Sequence, residues 1–229
     1  MSKRIVIAID GPAGSGKSTI ARAIADRLGF LYIDTGAMYR AVALWAVRSN
    51  VSTADMHRLE QLALEADISF TPGSSRVYLN GEDVTEPIRT PEVGAAASKI
   101  SAVPAVRRAL VDKQRTMAAE ASVVMEGRDI GTVVFPDAQI KIYLDANPSI
   151  RADRRILELR SKGRPVSAEV TAREIAERDQ RDRTRAEAPL IQAPDAVYLD
   201  STALTVNQVE ELVLKLVRER TANGKEYSR

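Results

Sequence analysis

Residues 4–19 read Arg-Ile-Val-Ile-Ala-Ile-Asp-Gly-Pro-Ala-Gly-Ser-Gly-Lys-Ser-Thr, and this stretch decides the fold. Arg4–Asp10 carries a β-branched apolar run without polar alternation, which reads as a short strand buried on both faces. Gly11, Pro12, Ala13, Gly14, Ser15, Gly16, Lys17, Ser18 and Thr19 follow and satisfy G-x-x-x-x-G-K-[ST]. Small residues let successive backbone N–H groups turn inward around an anionic oxygen, and a helix N-terminus adds its positive dipole end. In such a loop Lys17 reaches the β- and γ-phosphates and the Ser18 hydroxyl ligates Mg²⁺. Ile20, Ile24 and Leu28 fall at i, i+4 and i+8, so a helix runs from the loop to a stop at Gly29. Strand, loop and helix together specify a nucleoside triphosphate with Mg²⁺. They leave open what is done with it.

Outward from the loop the alternation continues. Phe30–Ile33 reads as a second strand, and Ala37–Arg48 and Ala54–Ala66 as helices. Ile68–Phe70, Arg76–Leu79 and Asp83–Thr85 are short strand-like pieces, with Asn80-Gly81 as a hairpin turn. A helical stretch follows around Glu92–Lys113. Strands resume at Ser122–Met125 and Ile140–Leu144, helices at about Ser149–Ser161 and Ser167–Arg183, and a last strand at Ala196–Leu199. Thr205 and Gln208 form a capping box that opens a final helix, Val206–Glu219, and a polar, frayed tail is expected from Thr221. This order predicts an α/β fold, a parallel sheet with helices on both faces, interrupted by an antiparallel insert at about residues 67–110.

The chain has 229 residues, 45% hydrophobic and 28% charged, which suits a globule with a substantial core. Without cysteine there is no thiol catalysis, disulfide or Cys-ligated metal. The single histidine, His57, falls on a surface-helix pattern and is read as structural, and Trp45 is read as core. A net charge of +2 gives no argument for a nucleic-acid polymer. No apolar run is long enough for a membrane span or a signal-peptide core, so a cytoplasmic protein is expected.

The placement of arginine narrows the chemistry. Arg151, Arg154, Arg155 and Arg160 share one expected helix, and Arg178, Arg181, Arg183 and Arg185 crowd the end of the next. Guanidinium forks grip phosphate and stabilise charge on a transferring phosphoryl group, but solvated i, i+4 ion pairs produce the same composition. Arg178, Arg181 and Arg185 at i, i+3, i+7 are expected to share a face. A kinase whose acceptor is already an anionic phosphate needs no general base, which matches a chain with one histidine and many arginines. At this level a kinase for UMP or a small metabolite, or a nucleotide-dependent binding module, remains open.

Three further motifs carry a resemblance. Asp34-Thr-Gly-Ala-Met-Tyr-Arg40, Glu126-Gly-Arg-Asp129-Ile-Gly-Thr-Val-Val-Phe-Pro136 and Glu177-Arg-Asp-Gln-Arg-Asp-Arg-Thr-Arg185 together resemble the bacterial cytidylate kinases, over nearly the whole chain. The resemblance implies transfer of phosphate from ATP, with Mg²⁺, to CMP or dCMP by a monomer. It also implies three parts: a core (residues 1–66, 111–150 and 191–229), a monophosphate-binding insert (67–110) and a lid (151–190). By the same resemblance Arg40 and Arg128 hold the acceptor phosphate, Asp34 and Thr35 edge its site, and the Tyr39 ring lines it. Ser98, Arg107 and Asp129 read cytosine, Asp182 and Arg178 fix the ribose hydroxyls, and Arg181 and Arg185 contact phosphate from the lid. Arg154 falls on the ATP side, and Glu126 stands beside the metal with its role open.

Overall fold

A computed structural model describes residues 4–222 apart from 162 and 164. In chain order β1 (Val6–Asp10), α1 (Lys17–Leu28), β2 (Leu31–Asp34), α2 (Thr35–Arg48) and α3 (Met56–Glu65) come first. The insert holds β3 (Ile68–Phe70), β4 (Val77–Leu79), β5 (Glu82–Asp83), a 3₁₀ turn at Pro87–Arg89, and the helices α4 (Pro91–Ile100) and α5 (Pro104–Glu120). Then follow β6 (Val123–Gly127), a one-turn π-helix at Ile130–Val134, β7 (Ile140–Asp145), α6 (Pro148–Ser161), α7 (Ala168–Thr184), β8 (Val197–Asp200) and α8 (Val206–Ala222).

Five strands form one parallel sheet in the order β2-β6-β1-β7-β8. The central strand explains why its sequence shows no polar alternation. Ile5, Ile7 and Ile9 point into a core shared with Ile20 and Ile24 of α1 and Val213 and Val217 of α8. Val6 and Ala8 point the other way, into a core built on α2, α3, α4 and α5. Both faces are covered, so both registers must be apolar. Ligands of open parallel sheets bind outside the carboxyl ends of the strands, where the connections diverge. Here that point is the end of β1, flanked by β6 and β7.

The antiparallel piece is a three-stranded sheet, β3-β4-β5. Asn80 (φ 51°) and Gly81 (φ 82°) both take positive φ, as a hairpin turn matched to strand twist demands. Two expectations need correction. The helical stretch over Glu92–Lys113 is two helices, because Pro104 opens α5 and pushes Val103 into the extended region (φ −80°, ψ 116°). The strand at Asp83–Thr85 is instead Glu82–Asp83, because the Asp83 carboxylate turns back to accept from the Thr85 N–H and hydroxyl. The capping box is present: Gln208 Oε1 accepts from Thr205 N at 2.9 Å and Thr205 Oγ1 from Gln208 N at 3.3 Å. The last helix runs on through Ala222, and the rest of the tail lies outside the described residues.

Candidate active site

The phosphate loop joins β1 to α1 as its glycines require. Gly14 (φ 74°) and Gly16 (φ 96°) sit in the left-handed region that an L side chain resists. Lys17 is the first residue of α1, is buried, and donates from Nζ to Pro12 O at 2.6 Å and to Ser15 Oγ at 3.3 Å. Its ammonium therefore folds back over the mouth of its own loop. Ser18 and Thr19 follow at the exposed start of the helix. Arg154 donates to Ser15 O at 3.2 Å, to Ser201 Oγ at 2.9 Å and to Ser201 O at 2.7 Å, so it spans the loop and the turn after β8.

Beside this loop a cleft is lined by residues from α2, α4, α5, the end of β6, and α7. Thr35, Tyr39, Arg40, Ser98, Arg107, Arg128, Asp129, Arg178, Asp182 and Arg185 all face it. At its inner end the buried Arg107 forms an ion pair with Asp129 and donates to Ser101 O at 3.2 Å. The Arg107 guanidinium also lies 5.7 Å from the centre of the Tyr39 ring. Arg185 Nη2 comes to 3.5 Å from the other Asp129 oxygen and, though buried, makes no hydrogen bond. Arg128 Nε donates to Asp182 Oδ2 at 2.8 Å, joining the end of β6 to α7. Thr35 Oγ1 donates to Glu126 O at 2.7 Å, and Arg40 Nη1 to Ile88 O at 3.3 Å.

Two expected residues do not line the cleft. Arg181 is exposed on α7 and is absent from the cleft lining, because the face turned inward is Arg178, Asp182 and Arg185 at i, i+4, i+7. The i, i+3, i+7 stripe expected from the sequence is thus rotated by about one residue. Asp34 caps α2, accepting from Ala37 N at 2.9 Å, and pairs with Arg89 at 3.1 Å, so it supports the cleft wall without lining it.

Like charges crowd this region. Burial together with Arg128 and Arg178 pushes Lys17 down to about 7, against the opposing pull of Glu126 and Asp10. Burial and the neighbouring Arg128 likewise bring Arg178 down to about 9, Asp182 offsetting part of this. Burial would raise Asp182, but the guanidiniums of Arg128 and Arg178 outweigh it and hold that carboxyl below the ordinary range. Burial is the main cause that raises Asp10 to about 6, although the Gly131 and Ile130 N–H groups pull it down. A protein that concentrates so many cations around one buried lysine is shaped for polyanions.

The signs predict a pH dependence. Native Lys17 loses its proton near pH 7 while the unfolded side chain keeps it to about 10.5, so the unfolded state holds more protons across that window. Stability of the ligand-free protein therefore rises with pH from about 7 upward on account of Lys17, its penalty being complete below pH 7. Asp10 acts oppositely and lower: its contribution is lost as pH rises from 3.8 through about 6. Urea unfolding of wild type and Lys17→Met at pH 7, 8 and 9 should show the upward slope in wild type and its loss in the variant. Parallel slopes in the two proteins would refute the assignment.

Two supporting residues, Arg151 and Asp179, leave little trace of their role in the sequence. Asp179, buried on α7, accepts from Ala13 N at 3.1 Å and is paired with Arg151, whose Nη1 donates to Ala13 O at 2.9 Å. Both backbone groups of one phosphate-loop residue are thus held by α6 and α7. The only signal was the interleaving of acids with arginines. Glu126 at the end of β6 accepts from the Tyr32 hydroxyl, and the Ser18 side chain acts to lower its carboxyl. Burial and the nearby Asp34 raise its carboxyl above the ordinary range, Lys17 opposing. The Ser18 hydroxyl and Glu126 carboxylate form an all-oxygen donor pair at the loop, which fits Mg²⁺ held by one carboxylate, a hydroxyl and nucleotide phosphates. Among the described residues no cluster of three or more His, Cys, Asp or Glu offers an all-protein metal cage.

Comparison with known proteins agrees with this geometry. The family model described as "Cytidylate kinase" matches residues 7–219. A "Cytidylate kinase" of Solibacter usitatus is 63% identical over 99% of this chain and 97% of its own length. One from Pelotomaculum thermopropionicum is 53% identical over 92% of this chain and 95% of its own. In fold alone, an uncharacterized protein from Eubacterium ventriosum superposes with a TM-score of 0.52 at 12% identity, over 93% of this chain and 98% of that one. A phosphate loop, an arginine-walled cleft and near full-length identity therefore meet in one assignment: the chain belongs to the cytidylate kinase family.

Proposed function

We propose that this chain transfers the γ-phosphoryl group of ATP to CMP or dCMP, giving ADP and CDP or dCDP. The observation that carries the reading is the nearness of the guanidinium-walled cleft to the phosphate loop: Arg128 and Arg178 line the cleft and lie close enough to act on the charge of Lys17. Two phosphate-binding places therefore share one positive field, the requirement for bringing two anions together in line.

Within that field the loop amides and Lys17 hold the donor phosphates, with Arg154 on the donor side. Arg40 and Arg128 hold the acceptor phosphate, and Arg178 and Arg185 neutralise charge from α7. The acceptor oxygen is already anionic near pH 7, so no side chain has to remove a proton. Ser18 and Glu126 would hold Mg²⁺, which when bound neutralises phosphate charge. Thr35 and Tyr39 shape the acceptor wall, with Asp34 fixing the helix that carries them. Asp182 and Arg178 take the ribose hydroxyls. Residues 67–110 act as the monophosphate-binding insert and 151–190 as the lid on a core made of the rest, and their closure excludes water before transfer. Residue 110 falls inside the continuous α5, so on that side the insert is joined to the core by a helix rather than a loop. No helix of the described residues is long and apolar enough to cross a membrane. The working form we propose is a cytoplasmic monomer acting on free nucleotides.

Cytosine is read by Asp129, with Ser98 and Arg107 beside it. Cytosine presents an N4–H₂ donor where uracil presents the O4 acceptor, so a carboxylate favours the first and repels the second. An ADP-release assay with CMP, dCMP, UMP, AMP and GMP tests the reading, CMP and dCMP being the expected acceptors. Asp129→Ala should lower the CMP/UMP ratio of kcat/KM by about 5- to 150-fold while leaving KM for ATP nearly unchanged. An unchanged ratio removes Asp129 from base recognition.

A further inference from the structure

We infer that Asp10, the last residue of β1, is a positioning residue that fixes the orientation of Asp129 and so sets the preference for cytosine over uracil. The inference rests on the acceptor reading given above and adds a residue outside the cleft to it. Asp10 is absent from the cleft lining and is buried. Its two carboxylate oxygens are both used on one target: Oδ1 accepts from Ile130 N at 2.8 Å and Oδ2 from Gly131 N at 2.7 Å. These are the two residues immediately after Asp129.

The placement follows from strand register. Asp10 lies directly across from Gly127, where β6 ends and the chain turns into the cleft. Asp129 has no strand or helix of its own to hold it; its backbone (φ −149°, ψ 23°) falls between β6 and the one-turn π-helix. Its carbonyl is held from one side, accepting from Val133 N at 2.9 Å and Val134 N at 3.2 Å. The following two N–H groups are both held from the other side by Asp10. The peptide planes on the C-terminal side of Asp129 are thereby fixed, and with them the exit direction of its side chain. A base-reading carboxylate must stay within about 0.5 Å of its productive position, so loss of this bracket is felt as loss of selectivity.

The choice of residue also follows. Two N–H donors from consecutive residues need two acceptor oxygens. Asparagine offers one oxygen and would turn an NH₂ donor against the second N–H. Gly131 completes the arrangement, because a Cβ there would lie 3.4 Å from Asp10 Oδ2 and 3.2 Å from Lys141 Cδ. Gly131→Ala therefore sets a methyl against the Lys141 stem and in contact with the Asp10 carboxylate without changing any charge.

Asp10 also lies in the field of Lys17, so a change there alters turnover with every acceptor. That effect divides out in the ratio of kcat/KM for CMP to that for UMP, whereas misplacement of Asp129 does not. The test is this ratio, with KM for ATP, in wild type, Asp10→Asn and Gly131→Ala, alongside thermal melts. Asp10→Asn is expected to lower the ratio about fivefold or more, and Gly131→Ala in the same direction by less, with KM for ATP within about twofold of wild type. An unchanged ratio in Asp10→Asn, even with a lowered melting temperature, overturns the inference by leaving Asp10 a purely structural role. If Asp10→Asn does not fold, Asp10→Glu, which keeps the charge and both oxygens but lengthens the side chain by one methylene, takes its place, and an unchanged ratio there overturns the inference. Failure of the wild-type protein to phosphorylate CMP would instead overturn the acceptor reading itself.

Discussion

Lys17→Ala is expected to lower turnover of ATP with CMP by about 10³-fold or more while leaving the fold in place. The two halves of this result have one cause. Lys17 is buried among Arg128 and Arg178, and its ammonium is satisfied chiefly by Pro12 O at 2.6 Å within its own loop. In the ligand-free protein that arrangement is unfavourable, which is why the group is pushed down to about 7. Removing it relieves a strain that otherwise only a polyanion or loss of the Lys17 proton relieves, so at pH 7 the melting temperature of Lys17→Ala should equal or exceed that of wild type. Stability traded for activity is common where a charge is held ready for a ligand. Steady-state ADP release at saturating CMP, with thermal melts followed by circular dichroism, checks both. Near-normal turnover would remove Lys17 from the transfer step, and a large drop in melting temperature would show its role to be structural.

How far the site was legible depended on whether its signal was local in the chain. The phosphate loop was readable because its chemistry, glycines and a lysine beside the first turn of a helix, is written in consecutive residues. The two-sided burial of β1 was readable for the same reason: Ile5 to Ile9 alternate between two cores, and both cores demand apolar side chains. Arg40, Arg128 and Asp129 came from motifs, and the structure brings them to one cleft. What escaped was set by tertiary contact. The pairing of Asp34 with Arg89 depends on a residue 55 positions away. Arg181 against Asp182 is a question of helix rotation by a single position, which periodicity resolves only when the neighbouring surface is known. The bracket of Ala13 by Arg151 and Asp179 spans 138 and 166 positions, and no local pattern announces it. The π-turn after Asp129 was hidden because its first N–H groups are held by Asp10 from another strand, a contact that no local pattern announces.

The second large effect concerns Gly11 and separates two reasons for a glycine. Gly11 has φ 151°, and a Cβ built there would lie 2.0 Å from the carbonyl oxygen of Leu144 and 3.0 Å from its carbon. Both atoms are backbone, on a strand held by its pairing with β1 and β8, so no side chain can rotate away. Gly29 also has positive φ, 66°, but nothing lies within 4 Å of its would-be Cβ. Alanine at position 29 thus meets only the left-handed backbone penalty, about 1–2 kcal/mol, and should leave activity intact. Alanine at position 11 must in addition part β1 from β7, and the loss expected is about 4 kcal/mol or more. For a chain of this size each kcal/mol moves the melting temperature by about 2–4 °C, so Gly11→Ala should melt at least about 8 °C below wild type and Gly29→Ala only a few degrees below. Because the phosphate loop departs from the point that is forced apart, Gly11→Ala should also lose turnover at temperatures where it remains folded. Equal melting temperatures for the two variants would mean that the β1–β7 approach is looser than its register implies, and that the loop does not depend on the sheet edge beneath it.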